Sequence, residues 1–64
     1  MLSEWELWAS AQHYVFQHGE DAPVIAAMRC DELLDACDYE GARVYRAIIE
    51  RIHRLLAPPT GLLH

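Results

Sequence analysis

The chain of 64 residues contains no lysine and no asparagine, and its longest run without Asp, Glu or Arg covers only residues 7–19. Ser10, Gln12 and His13 interrupt that run, so it is too short and too polar to span a bilayer. The first residues lack the basic start and the unbroken apolar stretch of a secretory signal, which favours a cytoplasmic location. Nine alanines and five arginines, beside the missing lysine, are the bias expected of a GC-rich bacterial genome.

Cysteines are also scarce: only Cys30 and Cys37 are present, and their spacing in the sequence disfavours a disulfide between them. Seven helical residues separate them by about 10.5 Å, beyond the roughly 6.8 Å reached by bridged Cα atoms. Neither Cys-x-x-Cys nor His-x-x-x-His occurs, so we expect reduced thiols and no metal site. The three glycines are isolated, so they form no glycine-rich phosphate-binding loop. Asp31 and Asp35 lie one helical turn apart, a spacing typical of a solvated helix face rather than of a catalytic carboxylate pair. We therefore expect no cofactor and no enzymatic activity.

The length of the chain limits what it can build. A mass of 7.3 kDa allows one domain, placed at residues 1–57, with a Pro-containing tail at residues 58–64. A hydrophobic share of 53% and a charged share of 23% exclude collagen-like and strongly disordered classes. A chain this short buries only roughly 60% of its unfolded surface, so a pocket of about 300 Å³ or more would take most of its core.

Start and stop signals predict a compact all-α fold of three helices at about residues 4–18, 22–37 and 39–56, followed by an extended tail. Ser3 and Glu6 have the spacing of a capping box, and Gly19 is suited to end the first helix. Asp21 and Asp38 are expected to cap the second and third helices. No segment alternates with period two, and connections of one to three residues predict that neighbouring helices fold back on each other.

Apolar residues cover more of the first helix than a small core requires, roughly 220° of its circumference at 100° per residue. Two apolar pairs on that helix point in nearly opposite directions, and one core cannot cover both: Leu7 with Tyr14, and Trp5 with Phe16. The expected core comprises Trp8, Val15, Leu33, Leu34, Ile48 and Ile52. The expected exposed patch comprises Leu7, Tyr14, Ile25 and Met28.

This surplus apolar surface indicates protein binding. The chain carries two tryptophans, three tyrosines and one phenylalanine, the residue types that anchor interfaces, and a soluble monomer seldom leaves such a patch to water. We therefore predict a non-enzymatic binding module of adaptor or inhibitor type, acting as a homodimer. A different protein partner, with or without dimerisation, is an alternative that the sequence leaves open.

The alternative function is nucleic-acid binding. Nine of the ten acidic residues lie within residues 1–40, whereas four of the five arginines follow. Arg43, Arg46 and Arg54 share one side of the third helix, with Arg51 at its edge, as in a stripe that tracks phosphates. The net charge of −5 opposes this function, and an ordinary solvated helix face explains the same arginines.

Residues 6–9 (ELWA) and 17–23 (QHGEDAP) resemble a family of short uncharacterised alphaproteobacterial proteins, a domain of unknown function. The resemblance covers most of residues 4–56. It departs after Pro23, where the family is more basic, and at Tyr45, near which a tryptophan is expected. It implies a helical bacterial protein and supplies no activity. Residues 38–42 also resemble the opening of the second helix of a tetratricopeptide repeat, but one unit is too few for stacked repeats.

Overall fold

The computed structural model of the chain describes residues 2–58, and this range is helical with short turns and no strand. The elements are helix α1 (Glu4–His18), a 3₁₀ turn (Gly19–Asp21), helix α2 (Ala22–Asp35) and helix α3 (Tyr39–Leu56). The prediction of an all-α fold is confirmed. The tail predicted from Pro58 onward lies, apart from Pro58 itself, outside the described residues.

The helix ends follow from local hydrogen bonds, mostly as predicted. Ser3 and Glu6 form the capping box, because Glu6 N–H donates to Ser3 Oγ at 3.2 Å and Ser3 N–H donates to Glu6 Oε1 at 2.9 Å. Gly19 follows α1 with φ of 58°, a conformation that favours glycine. Asp21 occupies the N-cap position of α2 as predicted, but its side chain makes no capping hydrogen bond, because the 3₁₀ turn leads directly into α2.

The end of α2 comes two residues earlier than predicted, at Asp35 rather than Cys37. Cys37 N–H donates to the Leu34 carbonyl at 2.9 Å, and Asp38 N–H donates to the Leu33 carbonyl at 2.8 Å. This pair of bonds is a Schellman motif, which requires a left-handed residue, and Cys37 takes that position with φ of 62°. Cys37 lies beyond the last residue of α2 and is exposed, whereas Cys30 is buried.

Helix α3 is the centre of the fold. Asp38 caps it by accepting a hydrogen bond from Gly41 N–H at 3.0 Å, as predicted. Both α1 and α2 pack extensively on α3, whereas α1 and α2 contact each other much less. The predicted folding back of neighbours thus holds for α2 and α3 but not for α1 and α2, because the 3₁₀ turn does not reverse the chain. The result is elongated, 46 × 23 × 18 Å.

The buried core consists mainly of small side chains. Its members are Ala11, Ala22, Ala26, Cys30, Ala42, Ile48 and Ile52. Ile48 and Ile52 were expected in the core and are confirmed there, and Ile52 is the largest fully buried side chain. The other expected core residues are half-buried: Trp8, Val15, Leu33 and Leu34. Alanines let the helices approach closely, but they leave little room to enclose large apolar side chains.

Candidate interaction surface

Large apolar side chains that the core does not enclose are exposed on all three helices. They are Trp5, Phe16, Val24, Met28, Tyr39 and Leu55. Phe16 is 89% exposed and Trp5 is 75% exposed, so both rings lie almost entirely in water. Monomeric proteins leave single apolar side chains exposed without consequence, but two nearly bare aromatic rings on one helix are typical of an interaction surface.

Trp5 and Phe16 belong to one row of exposed residues on α1, which we name the outer stripe: Trp5, Ala9, Gln12 and Phe16. The spacing of four, three and four residues places them within an arc of about 60° on a helix. This arc is turned away from Ala11, the fully buried residue of α1. Between the two rings the stripe is nearly flat, because Ala9 is small.

Helix α2 carries a second exposed row with the same spacing: Val24, Met28, Asp31 and Asp35. Its first half is apolar, with Met28 57% exposed as predicted, and its second half is acidic. The row therefore suits a partner that offers apolar groups beside basic ones.

Three of the four residues of the expected patch are half-buried rather than exposed: Leu7, Tyr14 and Ile25. Leu7 and Tyr14 are half-buried and pack against the core, because α3 lies on their side of α1. The Tyr14 hydroxyl donates a hydrogen bond to the Tyr45 hydroxyl at 3.1 Å, and the two rings meet edge to face. The expectation that Leu7, Tyr14 and Ile25 are exposed is thus wrong, and the exposed pair on α1 is the opposite one.

An open groove of about 580 Å³ lies where the three helices meet. Tyr14 and Tyr45 form one part of its wall, His13 and His18 another, and Ile25 adds apolar surface. Burial and the hydrogen bond with Tyr45 raise the pKa of Tyr14 to about 12. The groove offers hydroxyl and imidazole groups for hydrogen bonding, and across residues 2–58 no cluster of three or more His, Cys, Asp or Glu could hold a metal ion.

Arg51 fixes α1 to α3, a role that the sequence analysis missed. Its side chain is only 14% exposed and binds both Glu4 carboxylate oxygens at 2.8 Å. It also donates to the Ala47 carbonyl at 2.8 Å, and its guanidinium lies 5.6 Å from the Trp8 ring centre. The hydrogen bond from Arg51 holds the pKa of Glu4 below its ordinary value of 4.5. Arg51 is consequently occupied and is not part of a phosphate-binding stripe.

The three arginines assigned to the nucleic-acid alternative are all exposed on α3. Arg54 pairs with Glu50 at 3.4 Å, one turn away, as expected for a solvated face. Arg43 and Arg46 form no ion pair with any residue of the described range. Two free guanidinium groups therefore remain on this face.

Comparison of the chain with protein-family models, curated proteins and solved structures finds no match. The resemblance to the alphaproteobacterial family stays a prediction. None of the helices in residues 2–58 combines the length and the apolar character needed to cross a membrane.

Proposed function

We propose that this chain is a non-enzymatic helical module that binds protein, acts as an adaptor or inhibitor, and forms a homodimer. The observation that carries the proposal is the exposure of Trp5 and Phe16 on one face of α1. Aromatic side chains at such density anchor interfaces, because they bury a large area at small conformational cost.

The exposed area of the two rings is large enough to drive association. Aromatic side chains present about 150–250 Å² each, so at 75% and 89% exposure one copy offers roughly 250–400 Å². Covering the rings of both copies would contribute up to about 12–20 kcal/mol at 25 cal/mol per Å². Association costs about 4–15 kcal/mol in lost freedom, so the covered area of the rings is of the order that self-association requires.

The exposed row of α2 offers a second binding surface, which an adaptor requires. Val24 and Met28 offer apolar contacts, and Asp31 and Asp35 add two carboxylates on the same face. A partner segment with apolar and basic residues would match this row. A dimer that joins through α1 would then present two such rows, and bivalent binding raises overall affinity without new contacts.

The test of the dimer is solution mass by light scattering over a range of protein concentrations. We expect the wild-type chain to approach the dimer mass as concentration rises. The double variant Trp5→Gln with Phe16→Gln should remain a monomer, with the helicity of the wild type by circular dichroism.

The matched control is Val24→Gln with Tyr39→Gln, which removes two exposed apolar side chains from the other helices. This control should dimerise like the wild type. A wild-type chain that stays monomeric throughout would refute self-association, and a Trp5/Phe16 variant of unchanged mass would refute the role of α1.

Nucleic-acid binding remains the second candidate, because Arg43 and Arg46 are exposed and form no ion pair with other described residues. Binding through them should weaken steeply with salt, since phosphate contacts release counterions. Arg43→Gln with Arg46→Gln should abolish it, whereas Arg29→Gln, at an arginine already paired with Glu32, should change it little. Fluorescence anisotropy with a labelled duplex at two salt concentrations measures this. No binding at low salt would eliminate this candidate.

A further inference from the structure

We propose that the partner of the outer stripe of α1 is the same stripe of a second copy, aligned antiparallel. This inference rests on the proposed homodimer and specifies its geometry. Trp5 of each copy would pack against Phe16 of the other, and Ala9 against Gln12, around a two-fold axis level with the midpoint between residues 10 and 11.

The first argument is the symmetry of the stripe. In an antiparallel pair with its two-fold axis at that midpoint, each residue of one copy faces a residue of the other copy, and the two residue numbers add up to 21. Trp5 pairs with Phe16 and Ala9 with Gln12, so all four exposed members of the stripe find partners within it. Each aromatic ring lies about 8 Å along the helix from the axis, and the two ring contacts bracket the interface.

The second argument is steric. The spacing of four, three and four residues is the spacing of a helix seam that packs knobs into holes. Ala9 lies near the centre of the stripe, and a small residue there allows two helices to approach to about 8 Å between axes. The large rings then fill the space at the two ends.

The third argument is electrostatic. Glu4 and Glu6 lie in the first turn of α1, and His18 in its last turn. A parallel pair would bring the two Glu6 carboxylates to the same end and align the two helix dipoles unfavourably, whereas Glu4 of each copy is already paired with Arg51. The antiparallel pair separates the carboxylates and places Glu6 of each copy within one turn of the level of His13 in the other. Charge therefore selects the antiparallel arrangement.

Disulfide trapping between chosen positions tests the alignment. The variants Ala9→Cys and Gln12→Cys are each made with Cys37→Ser, because Cys37 is an exposed free thiol whereas Cys30 is buried. Ala9 and Gln12 are exposed, so neither change disturbs the core, and circular dichroism verifies this. The two variants are mixed in equal amounts and oxidised mildly. Intact mass then distinguishes the mixed disulfide from the two self-disulfides.

In the antiparallel dimer, positions 9 and 12 of opposite copies lie level, whereas identical positions are offset by about 4.5 Å along the axis. We expect a several-fold excess of the mixed disulfide over either self-disulfide. An excess of self-disulfides would indicate a parallel pair and overturn the inference. A dimer by light scattering that forms none of these disulfides would place the interface elsewhere, which overturns the alignment but leaves the proposed homodimer. A monomer at all concentrations would refute both.

Discussion

Replacing Cys37 by glycine should stabilise the protein, because Cys37 holds the left-handed position that ends α2, with φ of 62°. A side chain with a Cβ atom costs roughly 1–2 kcal/mol in that conformation. Glycine removes this strain, but its greater conformational freedom in the unfolded chain lowers the free energy of unfolding by about 0.5–1 kcal/mol. The net gain in the free energy of unfolding is therefore about 0.5–1 kcal/mol, equivalent to about 2–8 °C in Tm for a chain of this size.

The assay is thermal unfolding followed by circular dichroism at one fixed protein concentration. Cys37→Ala is the matched control, since it also removes the thiol but keeps a Cβ atom, and its Tm should match that of the wild type. Cys37→Asn should fall between alanine and glycine, because asparagine tolerates the left-handed region better than most residues. If glycine and alanine gave the same Tm, backbone strain at this turn would be refuted as the cause.

Three further predictions concern the stability of the fold and its pH dependence. Ile52→Ala should lower the free energy of unfolding by about 2–5 kcal/mol, since Ile52 is fully buried. This loss is comparable to the whole margin of about 3–5 kcal/mol for so small a chain, so we expect the variant to lose much of its helical circular-dichroism signal at 25 °C. Phe16→Ala, at an exposed ring, should change the stability of the monomer by less than about 0.5 kcal/mol, and a large loss there would contradict the burial pattern. Because the folded pKa of Tyr14 is about 12 against an ordinary 10.0, its contribution to stability is complete below pH 10 and is lost as the pH rises to about 12. Tyrosinate absorbance should show a late titration step that Tyr14→Phe removes, and its persistence in that variant would assign the step to another tyrosine.

The parts of the fold that depend on near neighbours in sequence could be predicted. The capping box of Ser3 and Glu6, the glycine after α1 and the Asp38 cap each involve groups within three residues of one another. Their hydrogen bonds need only near neighbours, so the residue types carry most of the signal, although Asp21 shows that a suitable residue does not always form the capping bond. The end of α2 was predicted less well, because a cysteine occupies a position where glycine is the usual signal.

The orientation of α1 could not be predicted from local pattern, because it depends on where α3 packs. Leu7 with Tyr14 and Trp5 with Phe16 are equally apolar pairs, and only contact with α3 decides which pair is covered. Arg51 illustrates the same limit, since its carboxylate partner, Glu4, is 47 residues away. Alanine does not mark the covered side either, because Ala11 is fully buried whereas Ala9, equally small, is exposed.

Within residues 2–58, Ile52 is the largest side chain that the core fully encloses, and so small a core couples folding to binding. A small chain has a margin of only about 3–5 kcal/mol, so any partner that covers Trp5 and Phe16 stabilises the folded state by mass action. The apparent melting temperature would then rise with protein concentration or with added partner. Abundance in the cell would follow the same relation, because copies without a partner spend more time unfolded and are exposed to proteases. The small core thus makes the lifetime of the protein depend on whether a binding partner covers its exposed aromatic side chains.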